Sequence, residues 1–276
     1  MSVSRGEMSV VRGALRLLLA VPLMTAGAFG AVLLSLIPVR YRGARLGPWL
    51  SFFVSHAFNR LFNIHSTIVN RELLMNYRGI IIANHSTYLD VMLFVNAAPI
   101  RYLTALEIQR KPVVGWFAIA QESVFVNRSS RASRAEARDL ISAALQRNPY
   151  PPIVIFPEGR LGPGDRLNPF RHGAFELAIE NDVPVLPCAI RYSRPDIATW
   201  HGGTRGEWMA TALWRLACFG GRLEMTLIPL DPIHPSINDD AELLTSVAQR
   251  SIELVLGFPP APLELKAVDR APWEVE

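Results

Sequence analysis

The chain is poor in cysteine, in charge and in the short signatures of the commonest α/β enzymes. Its two cysteines, Cys188 and Cys218, form no CxxC pair. That excludes a disulfide framework, suits a reducing compartment, and leaves two buried apolar thiols as the expectation. Only 19% of residues are charged, with no dense Lys/Arg tract and no zinc-finger spacing. Arginines are scattered, so a net charge of +4 and a pI near 9.4 outline no nucleic-acid footprint. Such basicity suits an anionic membrane surface or an acidic ligand. GxSxG, GxxxxGK[ST] and GxGxxG are absent, which argues against the usual α/β hydrolases, P-loop NTPases and dinucleotide enzymes. There is no internal repeat and no low-complexity tract.

What the chain has in plenty is apolar sequence. Half of its residues are hydrophobic, and mean hydropathy is +0.21. Leu17 to Val39 contains no charged residue, a run long enough to cross a hydrocarbon core of roughly 30 Å as a helix. Arg5, Arg12 and Arg16 precede it, and Arg40, Arg42 and Arg45 follow, so loop charge gives no orientation. Pro22 and the Gly27/Gly30 pair allow a bend, so a full span and a dip into one leaflet both fit. Next, Trp49, Phe52, Phe53, Ala57, Leu61 and Ile64 recur roughly at helical spacing, with Arg60 among them. That pattern resembles an interfacial amphipathic helix. Small residues at Ala26, Gly27, Ala28 and Ala31 would suit a cleaved leader, but the apolar run is longer than a usual signal core. Membrane attachment through residues 1–64 is expected over a leader or a soluble core helix.

From about residue 67 the pattern changes to short β-rich runs alternating with helical stretches. Strands are predicted at Thr67–Val69, Ile80–Ala83, Arg101–Leu106, Ser123–Val126, Ile153–Phe156, Val183–Ile190 and Leu223–Ile228. Helices are predicted at Thr87–Asn96, Val113–Ala120, Arg134–Gln146, Ala174–Glu180 and Asp239–Leu256. Continuous apolar strands between helices imply an α/β fold: a mixed, mostly parallel sheet flanked by helices, with the membrane-anchoring helical segment at its N-terminus. The expected organisation is membrane-associated helices at 1–64, an α/β domain at 65–258 and an irregular, proline-containing tail at 259–276.

Two short motifs carry chemistry. In Asn84-His85-Ser86-Thr87-Tyr88-Leu89-Asp90 a strand turns into a helix. With Ser86 as N-cap, His85 and Asp90 would meet across the first turn, as the two ends of a staple do. Asp90 would fix the imidazole tautomer and leave the other nitrogen to take a proton from an alcohol. An ordinary capping and solvated pair has the same spacing. The remaining histidines (His56, His65, His172, His201 and His234) show no ligand spacing relative to this pair, and no metal is expected. The second motif, Phe156-Pro157-Glu158-Gly159-Arg160, follows the apolar run 152–156. Ligands of open parallel sheets bind beyond the carboxyl ends of strands, so both motifs are expected in one crevice. Glu158 would accept hydrogen bonds or orient an arginine, and Arg160 would fork onto phosphate. Arg128, just after the strand ending at Val126, is a second phosphate candidate. Solvated or structural roles stay open for both arginines. The stretch Leu161–Asn168 reads as a surface loop.

Taken together, these residues resemble the glycerolipid acyltransferase family typified by 1-acyl-glycerol-3-phosphate acyltransferase. Four blocks match in order: Asn84-His85 with Asp90; Gly115 through Val124-Phe125-Val126-Asn127-Arg128; Phe156-Pro157-Glu158-Gly159 with Leu167, Pro169-Phe170 and Gly173-Ala174-Phe175; and Val183-Pro184-Val185-Leu186-Pro187. The resemblance implies acyl transfer from the thioester of acyl-CoA or acyl-carrier protein to the free hydroxyl of a lysophospholipid. The acceptor it implies first is 1-acyl-glycerol-3-phosphate, giving phosphatidic acid. Glycerol 3-phosphate and another lyso-lipid, such as a lyso-ornithine lipid, stay open, as do a thioester or lipid hydrolase and a non-catalytic lipid-binding protein. His85 would be the base, oriented by Asp90, with Arg128, Glu158, Gly159 and Arg160 at the acceptor. No cofactor is implied beyond the acyl donor. Membrane lipid is the expected partner, nucleic acid is not, and the catalytic domain is expected to be membrane-attached and to face the cytoplasm, at the inner membrane if the source is bacterial. One departure stands out. The family continues its third block with threonine, arginine and serine, whereas this chain has Arg160, Leu161 and Gly162.

Overall fold

The computed structural model describes residues 7–127, 131–202 and 206–260, and the backbone alone for 131–134. Helix α1 (Val10–Leu36) leads, its first turn capped by Ser9, whose hydroxyl accepts the Arg12 N–H. A short hairpin, β1 (Arg40–Tyr41) and β2 (Ala44–Arg45), turns the chain into α2 (Leu46–Phe62). Strands and helices then alternate: β3 (Ile64–Ile68), α3 (Arg71–Asn76), β4 (Ile80–Ala83), α4 (Leu89–Ala97), β5 (Arg101–Ala105), α5 (Leu106–Gln109), α6 (Val114–Ala120), β6 (Val124–Val126), α7 (Arg131–Arg147), β7 (Ile153–Ile155), α8 (Gly173–Glu180), β8 (Val185–Tyr192), α9 (Pro195–Ala198), α10 (Met209–Cys218), β9 (Leu223–Pro229) and α11 (Ala241–Leu256).

Seven strands form one sheet in the order β3-β9-β8-β4-β7-β5-β6. Every neighbouring pair is parallel except β8 and β9. The expected mixed, mostly parallel sheet is therefore present, and each of the seven predicted strands corresponds to one in it. Alternation within β4 explains its unbroken apolar sequence. Ile81 and Ala83 face a core built with Phe58 and Phe62 of α2 and Leu93 and Phe94 of α4. Ile80 and Ile82 face a second core with Ile141 of α7 and Phe175 of α8. A strand buried on both faces needs apolar residues at every position.

Helix α1 is 27 residues long, and its most apolar window has a mean hydropathy of 2.2, so it is a candidate membrane anchor. Only 17% of that window is buried. The buried positions are small residues such as Ala20, Gly27, Ala28 and Ala31, while Leu18, Leu19, Phe29 and Leu36 point outward. Small residues let α2 come close: a Cβ on Gly27 would lie 2.6 Å from Val54. Both ends of α1 are fastened to the α/β unit. Arg16 donates to the carbonyls of Ala217 and Phe219 at the end of α10, and Ser35 donates to Ala120 O at the end of α6, at 2.9 Å.

Candidate active site

His85, Glu158 and Tyr192 stand at the carboxyl ends of three adjacent strands, β4, β7 and β8. The sheet order alone brings them together. Asn84 extends the β4–β8 ladder by one side chain: its Oδ1 accepts the Ile190 N–H at 2.7 Å, and its Nδ2 donates to Ile190 O at 3.1 Å. Two hydrogen bonds on one buried amide fix where the chain leaves the sheet.

The helix after the histidine begins later than predicted. Tyr88, not Ser86, is the N-cap, and Asp90 lies in the first turn. The side chain of Asp90 does the capping instead, and it reaches backwards. Its Oδ2 accepts the N–H groups of Ser86 at 2.7 Å and Thr87 at 2.9 Å. The same oxygen is 2.9 Å from His85 Nδ1, and Oδ1 accepts the hydroxyl of Tyr192. Asp90 is fully buried, so its charge is held by four donors with no help from water. A short polar side chain folding back on its own turn is the reason the chain does not enter the helix at Ser86.

This arrangement puts a proton on Nδ1, facing Asp90, and leaves Nε2 as an acceptor. Nε2 has no hydrogen-bond partner among the described residues, and the side chain is 20% exposed. The ring lies flat on Phe156, with centroids 4.0 Å apart and planes at 15°. Phe156 in turn stacks on Tyr102. The imidazole is thus held by Asp90 at its edge and by Phe156 across its face.

Glu158 turns inward. Its Oε1 accepts the His85 N–H at 2.8 Å, and its Oε2 accepts both the N–H and the Nδ2 of Asn168, each at 2.9 Å. It is 3% exposed, and burial pushes its pKa up to about 7 against the pull of these N–H donors. Gly159 adopts φ +69°, a left-handed conformation that favours glycine, beside the guanidinium of Arg171. Arg160 is exposed, and its Nη2 lies 3.4 Å from Asn168 Oδ1. Arg128 lies outside the described residues. Of the residues predicted for the site, the structure therefore joins His85, Asp90 and Glu158 in one network and leaves Arg160 at its margin.

A cavity of about 230 Å³ opens beside this network, lined by His85, Ser86, Arg166, Arg191, Tyr192 and Phe258, among others. A wider depression of about 470 Å³ between Asn70, Tyr77 and Pro184 sits at the other ends of the strands and has no histidine among its lining residues. Sequence reading missed Tyr192, Phe156 as the bed of the imidazole, and Asn168. Phe156 had a signal, because it ends the apolar run that leads into the second motif. Tyr192 had none.

A buried carboxylate beside a mostly buried histidine at the end of a parallel strand is an arrangement able to take a proton from a hydroxyl or activate a nucleophile. Comparison with known proteins narrows this to acyl transfer. The family model described as Acyltransferase matches residues 65–191. A lyso-ornithine lipid O-acyltransferase of Pseudomonas aeruginosa is 31% identical over 186 residues, 67% of this chain and 70% of that protein. A 1-acyl-sn-glycerol-3-phosphate acyltransferase of Neisseria gonorrhoeae is 30% identical over 157 residues, 54% of this chain and 58% of that protein. In fold, the chain is similar to the crystal structure of the 1-acyl-sn-glycerophosphate (LPA) acyltransferase, PlsC, from Thermotoga maritima. That match has a TM-score of 0.63 at 20% identity, covering 89% of this chain and 95% of that one. The chain belongs to the glycerolipid acyltransferase family, and it is an acyltransferase.

Proposed function

We propose that this protein moves a fatty acyl group from the thioester of acyl-CoA or acyl-carrier protein to the free hydroxyl of a membrane lyso-lipid, with His85 as general base. One observation carries the reading: His85 Nδ1 is 2.9 Å from the buried Asp90 carboxylate, which leaves Nε2 to face the reactants. Nε2 takes the hydroxyl proton as the acceptor oxygen attacks the thioester carbonyl. The tetrahedral intermediate then collapses, the C–S bond breaks, and the departing thiolate recovers the proton from the imidazolium. No acyl-enzyme is needed, because the acceptor itself is the nucleophile.

The acceptor assigned first is 1-acyl-glycerol-3-phosphate, with Arg128 as the phosphate ligand. A lyso-ornithine lipid is the second reading. It is favoured by Arg160, which stands one position early for the family's phosphate arginine and rests against Asn168. It also agrees with the named activity of the relative from Pseudomonas aeruginosa. The two are separated by incubating labelled acyl-CoA and acyl-carrier protein with lysophosphatidate, lyso-ornithine lipid and other lyso-lipids. Product with lysophosphatidate is expected. Product with lyso-ornithine lipid alone overturns the first assignment, and label released equally without any acceptor overturns transfer in favour of hydrolysis.

We further propose that α1 seats the enzyme in one leaflet rather than spanning the bilayer. A spanning helix has its ends on opposite sides of a layer roughly 30 Å thick, yet Arg16 and Ser35, near either end of α1, both hydrogen-bond to the α/β unit. Its outward face, with Leu18, Leu19, Leu33 and Leu36, is then left for acyl chains. Replacing Leu18 and Leu33 together by glutamate should shift the protein from floating with anionic vesicles to remaining soluble, with unchanged circular dichroism. Undiminished flotation would contradict this placement.

A further inference from the structure

The loop from Glu158 to Asn168 holds both backbone polar groups of His85. The His85 N–H goes to Glu158 Oε1 at 2.8 Å, and the His85 carbonyl accepts the Gly162 N–H at 2.6 Å. Asn168 closes the loop on itself by giving two N–H donors to the other oxygen of Glu158. Side-chain capture alone would leave the main chain of the base free to swing about its own φ and ψ. This loop removes that freedom.

We propose that Glu158, Gly162 and Asn168 form a clamp that positions the catalytic base, and that Glu158 does not bind the acceptor; the proposal rests on His85 being the base. Family resemblance implies an acceptor-binding role for Glu158, but here both of its oxygens are occupied by protein donors and it is 3% exposed. A ligand reaching it would have to displace a main-chain N–H and leave a buried donor unpaired.

The clamp also accounts for the glycine at position 162. A Cβ on residue 162 would lie 2.7 Å from Glu158 Oε2, 3.3 Å from His85 O and 3.5 Å from Asn168 Nδ2. Position 162 is therefore enclosed by the other members of the clamp, and only glycine fits without moving them. Gly162, standing where the family has serine, thus belongs to one contact set with Glu158 and Asn168.

The test is steady-state kinetics of Glu158→Gln, Gly162→Ala and Asn168→Ala, varying acceptor at saturating donor, with His85→Ala alongside. Displacing the base impairs chemistry and spares acceptor binding, so kcat should fall about 10²-fold for G162A and E158Q. N168A removes one donor and keeps the backbone one, so a fall of about tenfold is expected. The apparent KM for acceptor should stay within about twofold in all three; because a loss of folded enzyme would also lower apparent kcat at constant KM, circular dichroism and thermal melting of each variant, matching wild type, accompany the kinetics. A KM raised tenfold or more at unchanged kcat, in E158Q or in N168A, with H85A inactive, overturns the clamp and leaves the base assignment standing. Wild-type turnover by H85A overturns the base assignment and the clamp with it. Should E158Q or G162A fail to fold, the milder N168A still decides.

Discussion

His85→Ala is expected to lower kcat for acyl transfer by about 10³-fold or more while the protein stays folded and vesicle-bound. General-base assistance accounts for about 10²–10⁴ of a rate enhancement, and the described structure offers no second base in hydrogen-bonding range of Asp90. Stability should change little. Asp90 keeps its bonds to the Ser86 and Thr87 N–H groups and to the Tyr192 hydroxyl, and the vacated space adjoins the cavity, which water can enter. The measurements are turnover with labelled donor and thermal melting of the same sample. Turnover within tenfold of wild type would end the reading of His85 as base.

The second large effect is at Asp90, where catalysis and stability fall together. Asp90→Ala removes the shared acceptor of four buried donors: His85 Nδ1, two backbone N–H groups and the Tyr192 hydroxyl. Each unpaired buried donor costs about 1–3 kcal/mol, partly relieved by relaxation. A loss of about 3–5 kcal/mol follows, which lowers Tm by roughly 10 °C in a chain of this size. Asp90→Asn separates the two roles. The amide keeps an oxygen for the backbone donors but cannot hold the imidazole as a carboxylate does. It should therefore retain much of the stability and still lose about 10²–10⁴ in kcat, as expected when the tautomer is no longer fixed. A D90N enzyme with full kcat would show that the contact with His85 is architectural only.

Much of this was legible in the sequence. All seven strands of the main sheet were, because strands buried on both faces need runs such as Ile80-Ile81-Ile82 and Ile153-Val154-Ile155. The short helices Arg71–Asn76, Leu106–Gln109 and Pro195–Ala198 were not, since one turn carries no period. Met209–Cys218 was also missed. Its buried residues, Ala212, Leu216, Ala217 and Cys218, are those of a helix that packs beside α1, a partner no local pattern names. The pairing of His85 with Asp90 was readable from five positions of spacing and a strand-to-helix corner. The route was different, because the carboxylate caps the turn from within the helix instead of Ser86 capping from outside. Whether Glu158 faced the acceptor or the protein could not be read at all. That depends on Asn168, inside a stretch whose glycines and proline look like a solvated loop. Tyr192 was invisible because its contact depends on β8 lying next to β4, a fact of sheet order and not of sequence neighbourhood.

The contacts that hold the His85–Asp90 pair in place come from far along the chain. Glu158 is 73 positions away, and Tyr192 is 102 positions from Asp90. Asn84, which fixes the exit from the strand, is tied to a residue 106 positions on. Three strands must therefore be laid side by side before the imidazole is aimed at anything. On the proposed mechanism, a chain whose sheet is incomplete is chemically silent. Acyl-transfer chemistry would then arrive only with the finished sheet, and an incomplete fold would consume no donor.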